Sequence, residues 1–371
     1  MTPRGRVLAA LEHRKPDRVP LALWGSWYGV TDKLYFRILE ELGWEPVEPF
    51  RPDFVHSVNY YDDRLLERLG VDVRHVDSGA TAATSRIGVG GTDAWGFEWD
   101  YSGLYRSVKR HPLEDASIDE IRAFPVPEAE RCIDTDGVRA RLQTIRDMDD
   151  EYAVAGRAVA SYGFFEMAQA LRRADQLLMD LILDPNLVDA IIDRIYRCYS
   201  ALTHRFLDVA GEDLDLLELP GDDFAGNEGL LISAEMFDRF FAPPYRRLIA
   251  EIKSHNPHLR VVFHSDGAIG PLLARLADIG VDAVHPLEPL PATDYGGIKR
   301  EHGGKLAFMG AIDIRRTMQG PKEGVIEEVG RRLAELGSGG GYILAPSNHL
   351  QWDVPPENVF ALFEEAARRE R

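Results

Sequence analysis

The run Arg260-Val261-Val262-Phe263-His264-Ser265-Asp266-Gly267 decides how this chain is read. Three apolar residues lead straight into polar side chains and a turn glycine. A strand with no polar alternation is buried on both faces, as in a parallel sheet covered by helices. The same rhythm recurs on either side. Apolar runs fall at 19–24, 71–77, 153–161, 214–219, 281–286, 305–310 and 341–345, which with 260–265 makes eight. Amphipathic stretches separate them, such as 271–279, stopped by Gly280, and 323–336, stopped by Gly337. Eight such units predict an α/β fold, a single (β/α)8 TIM barrel forming one domain over 1–371. A doubly wound open sheet is the second arrangement that fits.

Residues 84–130 break the rhythm. From Gly88 to Tyr105 the chain is rich in Gly, Trp and Tyr, which predicts a β-hairpin insertion after the second strand, over the barrel mouth or packed on its wall. Pro125 and Pro127 end it.

Composition excludes several classes of function. The chain has 371 residues, 45% hydrophobic and 28% charged, which is globular rather than disordered. With 43 Lys and Arg against 61 Asp and Glu, the net charge is -18. Such a chain repels phosphate backbones and anionic lipid surfaces, so neither nucleic acid nor membrane is an expected partner. A locally basic pocket remains compatible with it. Cys132 and Cys198 form no zinc or disulfide pattern and read as free thiols of a reducing compartment. No window approaches the roughly 20 apolar residues of a membrane span, and Met1 to Arg6 carries no apolar leader, so a soluble cytoplasmic protein is expected.

In a barrel of this kind chemistry sits at the C-terminal strand ends. His264 and Asp266 are two residues apart and share a side of the strand, where an imidazole and a carboxylate can bind a divalent metal or act as acid and base. Asp222 and Asp223 follow the run at 214–219; being adjacent, they point to opposite faces and one is expected to reach the cavity, the alternative being that an acid here only caps the following turn. Asn348, His349 and Gln351 follow the last run and can orient a polar substrate or complete a metal shell. His285 reads as a core histidine, with Glu288 just beyond it; Asp313 follows the run ending at Gly310. Trp24, Trp27, Tyr28 and Asp77 would form an aromatic wall. There is no GxxxxGK[ST] loop or GxSxG elbow. Gly88-Val-Gly-Gly91 opens no helix, so no nucleotide cofactor is expected.

Seven segments resemble the uroporphyrinogen decarboxylase superfamily, six of them before residue 350. They are Arg6-Val-Leu-Ala-Ala-Leu-Glu-His-Arg-Lys-Pro-Asp-Arg-Val-Pro20, Gly229-Leu-Leu-Ile-Ser-Ala-Glu-Met-Phe237, Phe263-His-Ser-Asp-Gly267, Ile279-Gly-Val-Asp-Ala-Val-His-Pro286, Leu306-Ala-Phe-Met-Gly-Ala-Ile-Asp313 and Gly339-Gly-Gly-Tyr-Ile-Leu-Ala-Pro346. Asp353-Val-Pro-Pro-Glu-Asn-Val359 closes the series. The resemblance implies a single (β/α)8 barrel, often dimeric, with one of two chemistries. One is cofactor-free decarboxylation of uroporphyrinogen. The other is methyl transfer among methylated small molecules, thiols and corrinoid proteins, with zinc on a His-x-Cys pair and a later Cys.

This sequence departs from both patterns. The arginine-bearing segment that ends the decarboxylases' first strand is here Leu23-Trp-Gly-Ser-Trp-Tyr-Gly29, and neither Arg86 nor Arg157 stands at a matching position. The first thiolate is Asp266 and the later one falls near Asn348. The resemblance therefore implies a metal held by His264, Asp266 and Asn348, zinc or another divalent ion, through hard oxygen donors. It further implies catalytic roles for His264, Asp266, Asp222 and His349. Substrate contacts would come from Trp24, Trp27, Tyr28, Asp77, Asp223, Glu288, Asn348 and Gln351. The expected activity is methyl transfer from a small methoxylated substrate to a corrinoid on a partner protein. Decarboxylation of a porphyrinogen or smaller carboxylate is the alternative, and a non-catalytic binding barrel the third reading.

Overall fold

The computed structural model describes residues 1–47, 62–88, 90–100 and 107–369. In chain order the strands are β1 (Val73–Val76), β2 (Glu98–Asp100), β3 (Ser107–Arg110), β4 (Ala153–Gly156), β5 (Leu216–Glu218) and β6 (Ala225–Gly226). They continue with β7 (Gly229–Leu230), β8 (Arg260–His264), β9 (Ala283–His285), β10 (Ala307–Ile312) and β11 (Tyr342–Pro346). Seven of them form one parallel sheet in the order β1-β4-β5-β8-β9-β10-β11, curled like a TIM barrel. Each lies inside or within two residues of a predicted apolar run.

The eighth strand, expected at 19–24, does not form as such. Only an isolated parallel bridge, Leu21 to Leu344, stands there. The backbone N–H of Ala22 donates to Leu344 O at 2.9 Å and that of Asp72 to Leu21 O at 2.9 Å, so residues 20–22 still touch both edges of the curled sheet. Trp24 ends the extended run because its φ is +77°, a left-handed turn in which its N–H donates to Tyr28 O at 2.6 Å. The Asp72 carboxylate anchors the same corner, accepting from the N–H of Leu21 at 2.8 Å and pairing with Arg6 and Arg18.

Within the inserted stretch β2 and β3 pair antiparallel, Trp99 opposite Val108. The residues joining them, Tyr101 and Tyr105 included, lie outside the described residues.

Strand parity separates two cores. Val73, Ala153, Ala155, Leu216, Val262, Ala283, Ala307, Met309, Ile343 and Ala345 belong to one buried cluster, the small-residue filling of the sheet's concave side. The alternate residues Val261, Phe263, Val284, Phe308 and Leu344 pack in a second, larger cluster with the helices. One step further along the inward parity come His75, Glu218, His264 and His285, all buried. Polar side chains therefore begin where the apolar filling stops, at the C-terminal ends of the strands. Among the described residues no helix is long and apolar enough to cross a membrane.

Candidate active site

A cavity of about 300 Å³ opens at this end, between Trp27, Arg157, Glu166, Asp223, His264 and Asp266, with Asp77, Asn348 and His349 at its edge. That is the small end of ligand pockets, which span roughly 300–1,000 Å³.

His264 is the last residue of β8 and is buried. Trp27 stacks on it, with ring centroids 4.7 Å apart and 11° between planes. Gly221 makes that stack fit, since a Cβ there would stand 2.7 Å from Trp27 Nε1 and 2.9 Å from His264 Cδ2. Asp266 Oδ1 lies 3.9 Å from His264 Nε2. The Asp266 N–H donates to Asp223 Oδ1 at 2.7 Å, which draws the loop after β5 against the loop after β8. Ligand atoms of Asp223, His264 and Asp266 all fall within 4.8 Å of one another. Asn348 donates from Nδ2 to Asp266 Oδ2 at 2.8 Å and accepts at Oδ1 from the N–H of His349 at 2.7 Å. Its amide thus orients Asp266, and Asp223 joins His264 and Asp266 in the cluster beside the expected Asn348.

The electrostatics fit a site short of positive charge. Burial, then the charges of Asp223 and Glu288, pushes the Asp266 carboxyl well above its ordinary range. Asp223 is raised in the same direction by burial. Glu166 is also raised well above its usual value, by burial and then by Asp223 and Asp222. Arg157, just past β4, approaches Asp77 Oδ2 at 3.8 Å and is the cavity's one arginine among the described residues. Two carboxylates and one imidazole nitrogen converging here suit a divalent cation that prefers oxygen and nitrogen donors.

His349 is set the other way round from His264. Its Nδ1 accepts from the N–H of Gly29 at 3.1 Å, so in the neutral ring the proton sits on Nε2.

Several expected site residues sit elsewhere. Asp222 is fully buried and points away from the cavity. It accepts from the N–H groups of Phe165 at 2.9 Å and Glu166 at 2.8 Å and from the Tyr245 hydroxyl at 2.7 Å. It therefore caps the helix Phe164–Arg172. Burial raises its carboxyl to about 7. Trp24 packs edge-on against Tyr35 in the outer core. Tyr28 lies below the cavity, its hydroxyl on Glu218 Oε1 at 2.5 Å and on His75 Nε2 at 3.0 Å. Glu288 accepts from the N–H of Gly267 at 2.7 Å and pairs with Arg315, supporting the loop from behind. Gln351 does not line the cavity. Asp313 caps the turn after β10, accepting from the N–H groups of Arg315 at 2.8 Å and Arg316 at 3.0 Å.

Two charged lining residues, Glu166 and Arg157, were not among the expected site residues. Glu166 enters from a helix start, where an acid in the first turn also serves the helix dipole and carries no distinctive signal. Arg157 does end a strand, the position that marks candidates in barrels, although it does not match the family's arginine segment.

The family model for uroporphyrinogen decarboxylase (URO-D) matches residues 92–369. The chain belongs to the uroporphyrinogen decarboxylase family. A protein named uroporphyrinogen decarboxylase from Alkalilimnicola ehrlichii is 24% identical to this URO-D family chain over 260 residues, covering 68% of the chain and 67% of the relative. Another so named, from Paracoccus denitrificans, is 28% identical over 176 residues, 47% of each protein. Among solved structures a methyltransferase from Methanosarcina mazei superposes with a TM-score of 0.70 at 18% identity, over 99% of this chain and 98% of that one. That likeness is one of fold.

Proposed function

We propose that this URO-D family member is a methyltransferase that removes a methyl group from a small methoxylated substrate and delivers it to a corrinoid carried by a partner protein. The observation that carries the reading is the convergence of Asp223, His264 and Asp266 beside the Trp27 ring in a small cavity. Breaking the C–O bond of a methyl ether leaves the electron pair on oxygen, and that oxygen needs a proton or a Lewis acid. A divalent cation bound by the three residues would supply the Lewis acid. His349 stands at the same cavity, its ring oriented by the N–H of Gly29 on Nδ1. Trp27 offers a flat apolar surface on which the substrate ring can lie. The departing methyl forms its new bond with the electron pair of the reduced corrinoid, the second substrate.

The lining argues against a tetrapyrrole with many carboxylates. Asp77, Glu166, Asp223 and Asp266 face Arg157, and burying unpaired anions among acids is costly. Arg157 itself favours one alternative, decarboxylation of a smaller substrate bearing a single carboxylate that the guanidinium could hold. Incubating the protein with Co²⁺ or Zn²⁺, cob(I)alamin and a panel of methoxylated aromatics tests the main reading. Methylcobalamin absorbance with release of the free phenol is the expected result. No methylcobalamin across the panel, with CO2 released from an aromatic or aliphatic acid, would replace it by the alternative.

A further inference from the structure

We infer that His285 fixes which nitrogen of His264 faces the acid cluster, through a two-histidine relay anchored on the Pro346 carbonyl. β8 and β9 are paired in register with His264 opposite His285, and the two rings stack with centroids 5.1 Å apart. His285 Nε2 lies 3.1 Å from Pro346 O. A carbonyl only accepts, so that nitrogen carries a proton. The ring is wholly buried, with no carboxylate hydrogen-bonded to it among the described residues, and a buried cation there would be strongly disfavoured. A neutral ring protonated at Nε2 has a bare Nδ1.

That bare Nδ1 stands 2.8 Å from His264 Nδ1. Two lone pairs would repel at this distance and two N–H groups would collide, so His264 Nδ1 must donate. His264 is itself buried under the stacked Trp27 ring, where a cation is disfavoured, so the ring is neutral with its one proton on Nδ1. Its lone pair is therefore on Nε2, the nitrogen 3.9 Å from Asp266 Oδ1. Protonated at Nε2 instead, His264 would donate to Asp266 and close the cluster to a cation. His285, through its acceptor nitrogen, thus decides whether the cluster takes a proton or a metal. This consequence rests on the proposed function, but the relay itself does not.

Imidazole ¹⁵N NMR of the histidine-labelled, metal-free protein near neutral pH tests the relay, with His264→Ala supplying the assignment. His264 protonated at Nδ1 and bare at Nε2 is expected; protonation at Nε2 overturns the inference. Because that measurement needs neither metal nor substrate, its outcome is separate from that of the methyl-transfer assay. Two variants extend the test. His285→Leu removes the acceptor, and Co²⁺ affinity should fall roughly 10–100-fold, as is usual when an outer partner of a metal ligand is lost. His285→Asn, whose Oδ1 replaces Nδ1, should restore most of it. Equal loss in both variants, with unchanged circular dichroism, would also overturn the inference, and the wild-type spectrum remains decisive if His285→Leu fails to fold.

Discussion

The backbone N–H of Asp266 is held by the carboxylate of Asp223 at 2.7 Å, so two acids from different strand ends are tied together before any ligand arrives. Asp223 is then both an orienting group and a member of the donor cluster. Asp223→Asn keeps an oxygen that can accept this hydrogen bond but removes the charge. Divalent-metal affinity, measured by calorimetry with Mn²⁺ and Co²⁺, should fall by at least roughly tenfold while thermal stability changes little. A variant that binds the ion as tightly as the parent removes Asp223 from the site.

The neighbouring acid should behave in the opposite way. Asp222 serves three buried donors, the N–H groups of Phe165 and Glu166 and the Tyr245 hydroxyl. Each donor left without an acceptor costs about 1–3 kcal/mol. Asp222→Ala should therefore lower the urea-unfolding free energy by about 3 kcal/mol or more, a much larger effect than at Asp223. A variant as stable as the parent would contradict the capping role.

Gly221 is a test of shape alone. In Gly221→Ala the added Cβ meets Trp27 Nε1 at 2.7 Å and His264 Cδ2 at 2.9 Å, so the stacked pair must shift. Overpacking of this sort costs about 1–3 kcal/mol. Thermal denaturation should show that modest loss, whereas metal affinity and turnover should fall disproportionately, because the ring that moves would carry a ligand nitrogen in the proposed site. Unchanged turnover would mean the stack has no bearing on chemistry.

The two thiols offer a check on burial. Burial pushes Cys198 far above the ordinary thiol range and raises Cys132 as well. In native protein Ellman's reagent should report well under one reactive thiol per chain over minutes, and two after denaturation. Rapid native reaction of both would contradict their placement in the outer core.

The sequence discloses the strands of the sheet because each is a short apolar run ending in polar residues, and strand parity then places His264 with Val262 on the concave side. The first run fails as a strand for a reason its composition hides, the left-handed turn at Trp24. Which of Asp222 and Asp223 reaches the cavity depends on where a helix from a different unit begins, and no local pattern encodes that. The same holds for Glu166, and for the pairing of His264 with His285, which needs the register between two strands. Local periodicity carries the elements; the encounters between strand ends come from tertiary packing.

Glu218 supplies the pH dependence. It is wholly buried beneath the cavity, and burial alone would raise its pKa. Its interactions with His75, the Ser26 N–H at 2.8 Å and the Tyr28 hydroxyl at 2.5 Å outweigh that, holding it at about 2 against an ordinary 4.5. His75 is itself pushed down by burial. The group formed by Glu218, His75 and Tyr28 therefore holds one negative charge at neutral pH, on Glu218, with the Ser26 and Tyr28 donors serving it. A depressed folded-state pKa means that the unfolded chain takes up the proton first as pH falls. The stabilisation, on the order of 3 kcal/mol, is fully present above pH 4.5 and is lost as pH falls toward 2. Glu218→Gln should thus be less stable than the parent at pH 7. Its unfolding free energy should also fall less steeply between pH 4.5 and 2, by about one proton's worth of slope. Parallel urea-unfolding curves for parent and variant across that range would show that Glu218 is not ionised in the folded protein.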